Sequence, residues 1–269
     1  MTDSRILTQM AQAAQDAAAL LPPRPGPGAF DSLPELMAIA DAAEQPVKAL
    51  LRHRLEEARP GVEWAEELDT DVAGGGEQWV VDPIDGGVQY MQGLPQWSVS
   101  IALIRGGRPV LAALHSAALG HTYTASLGAG AFLDGAPIAP SAKTNLAVAL
   151  VGTSHPPFVA AQPEAAAAAG RAMSVLLPAV GAHRNLGPTS WQVADVASGR
   201  LDAFWQYGRD PGNLLAAALV AAEAGAVVTD LDGSPWRADS AGFLAAPARL
   251  HGQLLELFAK ARPETAATA

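Results

Sequence analysis

The sequence contains no cysteine. That excludes a disulfide framework and a thiol nucleophile, and with six scattered histidines it leaves no structural zinc spacing. Charge is sparse, at 16% of residues, and Lys plus Arg are outnumbered 17 to 27 by Asp plus Glu. A net charge of −10 argues against nucleic acid or an anionic membrane as a partner. It also means that any phosphate site must carry its own local cation. No apolar run approaches the roughly 20 residues that cross a bilayer. The segment Met1-Thr2-Asp3-Ser4-Arg5 lacks the apolar stretch of a signal peptide, so a cytoplasmic location is expected. Walker and G-x-G-x-x-G phosphate loops are missing too; Gly74-Gly75-Gly76 reads as a flexible turn before a strand.

What is present is apolar and Ala-rich: 49% of 269 residues are hydrophobic, ample for the core of one large domain or two intimate halves. Apolar spacing predicts helices over 4–21 and 33–58, separated by the stiff stretch Leu21-Pro22-Pro23-Arg24-Pro25-Gly26-Pro27-Gly28. Pro46 inside the second helix predicts a kink or a break near Gln45. Strands are expected at 78–82, 97–104, 109–115 and 121–125, with Arg105-Gly106-Gly107-Arg108 as a hairpin turn and Asp134-Gly135 as another tight turn. A second half begins with a strand near 146–152. Helices follow at 163–177, 189–198 and 213–224, with strands at 201–206 and 226–230. This alternation points to layered sheets and helices, divided into an N-terminal half, 1–145, and a C-terminal half, 146–269.

The apolar run Gln78-Trp79-Val80-Val81 ends in Asp82-Pro83-Ile84-Asp85-Gly86. Two carboxylates three residues apart on a Pro-stiffened turn suit a hard divalent cation such as Mg²⁺, which takes oxygen ligands. Asp, Pro and Gly also dominate ordinary turns for backbone reasons, so the motif alone leaves both readings standing. Glu66-Glu67 upstream adds a second acidic pair.

Glu66-Glu67, Trp79-Val80-Val81-Asp82-Pro83-Ile84-Asp85-Gly86, Pro95 to Ala102, Thr122 to Ala125 and Gly128 to Phe132 together resemble the inositol monophosphatase family of Mg²⁺-dependent sugar phosphatases. The likeness resumes at Arg184-Asn185-Leu186-Gly187 and runs through Glu223-Ala224-Gly225, Thr229-Asp230 and Gly233, covering roughly residues 44 to 250. The resemblance implies a layered αβαβα sandwich with the active site between the halves, and a homodimer. It implies that Glu66, Asp82, the Ile84 carbonyl and Asp85 hold Mg²⁺, with Glu66 and Asp85 catalytic. The backbone N–H groups of Gly86 and Gly87 would meet phosphate oxygens.

Several positions depart from the family pattern. The family places Thr where this chain has Gly87, and its hydroxyl helps to activate water. Its third block places Asp ten residues before Glu-Ala-Gly, where this chain has Asn213. Asp210 would substitute only if the loop were rebuilt by three residues. The substrate-contacting Glu becomes Gln206. The acidic partner of the missing Thr maps to Glu44, or with a shifted register to Asp41, and an expected Lys has no counterpart among Arg24 to Ser32. Asn213 is therefore expected as a weakened metal and substrate contact, and Glu44 as a weakened catalytic group. Arg184 would pair with phosphate or a sugar hydroxyl, or make a salt bridge across a subunit interface. Thr153-Ser154-His155 would line the pocket or cap a helix. Two functions follow: a Mg²⁺-dependent phosphatase acting on an inositol, sugar, histidinol or nucleotide phosphate with a degraded second metal site, or a non-catalytic relative binding a phosphorylated metabolite or a protein partner.

Overall fold

The computed structural model describes residues 2–22, 28, 30–66 and 76–262. Helices α1 (Asp3–Ala19) and α2 (Leu33–Ala58) come first. Ser32 caps α2 by accepting from the Glu35 N–H, while the Glu35 carboxylate accepts from the Asp31 N–H. Of the kink or break expected near Gln45, a break does not occur: α2 runs unbroken through Pro46. Packing of Ala43, Val47 and Leu51 into the core on both sides of Pro46 outweighs the one backbone bond that proline removes.

A seven-stranded sheet follows in chain order: β1 (Glu63–Glu66), β2 (Glu77–Asp85), β3 (Ser98–Arg105), β4 (Arg108–Ser116), β5 (His121–Ser126), β6 (Gly130–Leu133) and β7 (Ala136–Pro137). Short α3 (Gly87–Met91) interrupts it after β2. The remaining chain builds β8 (Leu150–Thr153), α4 (Pro163–Leu176), β9 (Ala182–Arg184), α5 (Thr189–Ala197), β10 (Ala203–Tyr207), α6 (Pro211–Glu223), β11 (Val227–Thr229), β12 (Gly242–Ala246) and α7 (Ala248–Lys260). Its five strands pair in the order β11-β12-β10-β8-β9. The strand expected at 146–152 starts at Leu150 instead. Asn145 accepts from the Ala147 N–H and turns 146–148 into a 3₁₀ helix.

Side-chain alternation along the strands explains the layering. Trp79, Val81, Val99, Ile101 and Leu103 pack with α1 and α2, whereas Val80, Ala102 and Ile104 pack on the opposite face with α5 and α6. In the second sheet Phe204, Phe243 and Ala245 face α5 and α6, while Trp205, Leu244 and Ala246 face α4 and α7. The result is the layer order helix, sheet, helix, sheet, helix. Ala-rich α6 is buried almost all round, because it lies between two sheets. Glu223 at its end ties the layers: its two carboxylate oxygens accept from the Gly128 and Gly130 N–H groups at 2.8 and 2.9 Å.

Candidate active site

Asp82 and Asp85 lie three residues apart, which on a regular strand would place them on opposite faces. The β2–β3 pairing prevents this. Asp82 opposes Ser100 and Asp85 opposes Ser98, so three steps on β2 match two on β3 across a bulge. Both carboxylates therefore share the face of Val80, toward α5 and α6. They are 4% and 2% exposed. The Ile84 N–H donates to Asp82 Oδ1 at 3.0 Å and stiffens the turn. Asp85 Oδ2 accepts from Ser98 Oγ at 3.4 Å and from Ser190 Oγ. Ser190 is wholly buried in the first turn of α5, so the second half of the chain reaches across to orient a carboxylate of the first.

Gly86 sits at φ +91°, and a Cβ there would lie 2.8 Å from the Gln96 carbonyl oxygen and 3.0 Å from Pro188 Cβ. Only glycine fits. Gly187, at φ +48°, favours glycine for its backbone conformation, and the flexible end of Gln89 from α3 lies against it. Gly87 differs: as the first residue of α3 it has an ordinary φ and open space where a side chain would go.

Gln206, Asp210 and Asn213 form a second buried cluster, at the end of β10 and the start of α6. Gln206 Nε2 and Asn213 Nδ2 each donate to a different oxygen of Asp210 at 2.8 Å. Burial pushes the Asp210 carboxyl above the usual carboxylate range, against the pull of the Asn213 and Gln206 hydrogen bonds and the neighbouring His155. The loop is not rebuilt to put Asp210 in the place of Asn213; α6 begins at Pro211, and the two side chains pair instead. Ser154 accepts from Thr189 Oγ1 at 2.8 Å, next to Ser190 on α5. The expected capping role for Thr153 and Ser154 is not what they do, since α4 starts only at Pro163 and Thr153 Oγ1 donates to the Trp205 carbonyl.

The remaining expected site residues have the following partners. Glu44 on α2 is paired with Lys48 at 2.9 Å, and Asp41 accepts from Gln45. Exposed Arg184, on edge strand β9, donates to the His183 carbonyl. The Glu66 backbone closes β1 beside Val81, but its side chain and Glu67 lie outside the described residues, as do Gly74 and Gly75 and most of the loop searched for a Lys. Among the described residues no three His, Asp or Glu side chains come together as a metal cage. Asp82 and Asp85 bring two buried carboxylates to one face, and carboxylate oxygens are the donors that a hard cation takes. Reading the sequence missed Ser190, because a hydroxyl within an apolar helix carries no signal until α5 is docked on β2.

The profile of the inositol monophosphatase family matches residues 30–266. An inositol-1-monophosphatase of Mesorhizobium japonicum is 28% identical over 81% of this chain and 82% of its own length. Nus factor SuhB of Pseudomonas aeruginosa is 35% identical over 72% and 71% respectively. The solved structure of Mycobacterium tuberculosis SuhB superposes with a TM-score of 0.79 at 28% identity, covering 96% of this chain and 97% of that one. The chain belongs to the inositol monophosphatase family, has its layered αβαβα fold, and falls with it among the phosphoric monoester hydrolases.

Proposed function

We propose that this protein is a Mg²⁺-dependent phosphatase of a small polar phosphate monoester, an inositol, sugar, histidinol or nucleotide phosphate. The observation that carries the reading is the bulge that turns Asp82 and Asp85 to one buried face. Asp82, Asp85, the Ile84 carbonyl and Glu66 would hold the ion. Bound there, Mg²⁺ supplies Lewis acidity and lowers the pKa of attacking water. Ser98 and Ser190 fix the Asp85 carboxylate by donating to it. The Gly86 and Gly87 N–H groups, at the start of α3, donate to phosphate oxygens, which the closed space at Gly86 keeps in place. Gln206 and Asn213 contact the substrate from the second half, and Arg184 and Glu44 take supporting parts at the rim.

The division into halves 1–145 and 146–269 belongs to the same proposal; each half contributes one of the two sheets. So do a homodimer and a cytoplasmic location. Among the described residues no helix is long and apolar enough to cross a membrane. The net charge of −10 supports the absence of a nucleic-acid partner.

A second reading, a relative that binds a phosphorylated metabolite or a protein with little turnover, is favoured by one feature: Gly87 carries no hydroxyl and Asn213 no carboxylate. Losing a general-base arrangement of this kind costs about 10²–10⁴-fold in rate. Phosphate release over a panel of small esters, for wild type and Gly87→Thr/Asn213→Asp, separates the two. The proposal expects turnover by wild type and little gain in the revertant. A silent wild type beside an active revertant would replace it with the binding reading.

A further inference from the structure

We infer that Asp210 is a positioning residue that fixes the orientation of two amides, so that Gln206 and Asn213 turn their carbonyl oxygens away from it and toward whatever occupies the cleft. An ionised carboxylate only accepts hydrogen bonds, and an amide presents a donor and an acceptor on opposite sides of one carbon. While Asp210 is ionised, with Nε2 of Gln206 held on one of its oxygens and Nδ2 of Asn213 on the other, both at 2.8 Å, neither amide can rotate without placing oxygen against oxygen. Gln206 is wholly buried, and its Oε1 has no hydrogen-bond partner among the described residues. An acceptor left unpaired at that depth is a place for a donor brought by a ligand. Its chemistry selects a hydroxyl-bearing compound over one that offers only acceptors.

The clamp relocates a charge. The cluster holds one carboxylate and two amides, with the carboxylate at 210 and an amide at 213. It follows that Asn213→Asp is not a simple gain of a ligand. It would set two carboxylates at hydrogen-bond distance in a buried site, an arrangement that buried like charges resist. The exchange variant Asp210→Asn/Asn213→Asp keeps one carboxylate and two amides and should be tolerated.

The inference rests on the proposed site for the identity of the ligand, but the clamp is tested without metal or turnover. Melting temperature in chelator and the side-chain NH₂ signals of Gln206 and Asn213 in ¹⁵N NMR would be measured for wild type, Asn213→Asp, Asp210→Asn and the exchange variant. Expected are two slowly exchanging NH₂ pairs in wild type, loss of the Gln206 protection in Asp210→Asn, a fall in melting temperature of roughly 5–10 °C in Asn213→Asp, and recovery in the exchange variant. If Asn213→Asp is insoluble, a soluble exchange variant carries the inference and an insoluble one overturns it. Wild-type melting in Asn213→Asp with unchanged NH₂ protection in Asp210→Asn would also overturn it. A silent phosphatase assay beside these expected shifts would count against the proposed function and leave the clamp standing.

Discussion

Gly86→Ala tests the junction of the two halves, because one added methyl meets a backbone oxygen of the 92–97 turn and the ring of Pro188 together. At φ +91° a side chain strains the backbone by about 1–2 kcal/mol. Overpacking adds about 1–3 kcal/mol, since the Gln96 carbonyl and Pro188 are parts of the framework and cannot swing aside. The sum, about 2–5 kcal/mol, corresponds to a fall in melting temperature of roughly 5–15 °C for a chain of this size. Gly87→Ala is the internal control. It has an ordinary φ and no atom within 4 Å of the new methyl, and in a helix Ala is favoured over Gly by about 1 kcal/mol. Thermal and urea unfolding of both variants would be followed by circular dichroism. Equal stability of Gly86→Ala and Gly87→Ala would refute the packing account of this turn.

Three other outcomes follow from named contacts. Asp195, partly buried beside Tyr123, has its carboxyl pushed up to about 6 by desolvation, against the pull of the Tyr123 hydroxyl and Arg200. Because the folded state binds this proton more tightly than the unfolded chain, the contribution is full at pH values below about 4. It is lost as pH rises through 6, by about 3 kcal/mol. Asp195→Asn should therefore flatten that part of the stability–pH curve measured by urea unfolding, and an unchanged curve would contradict the assignment. Glu223→Ala removes the acceptor of both the Gly128 and Gly130 N–H groups and should cost about 1–3 kcal/mol in the same assay, with secondary structure retained. Ser190→Ala removes a donor to Asp85 and should raise the Mg²⁺ concentration for half-maximal turnover by about 10-fold, with little change in melting temperature.

Much of the framework is written locally in the chain. The apolar runs of β2, β3 and β4 and the apolar spacing of α1 and α2 mark those elements, the strands because both of their faces are buried against helix layers. Short α3, β6, β7 and β9 are illegible, since two to five residues carry too little periodicity, and β12 with α7 is unmarked behind the turn-rich stretch 230–241. At the site, Asp82-Pro83-Ile84-Asp85-Gly86 announced its carboxylates, but their common face depends on a bulge opposite Ser98 and Ser100 that no local pattern reveals. The pairing of Asp210 with Gln206 and Asn213 was hidden for another reason. Spacing from Glu223, set against the family pattern, draws attention to Asn213, while the carboxylate it pairs with sits three residues earlier and is recognisable only once the first turn of α6 folds back on β10.

The most direct test of the central claim, that the bulged Asp82/Asp85 turn is the centre of a Mg²⁺-dependent phosphatase, is phosphate release by wild type and Asp85→Asn with and without Mg²⁺. The account expects wild-type turnover that vanishes in chelator and falls at least about 10³-fold in Asp85→Asn, whose fold should persist. Turnover that survives both chelation and Asp85→Asn would contradict it.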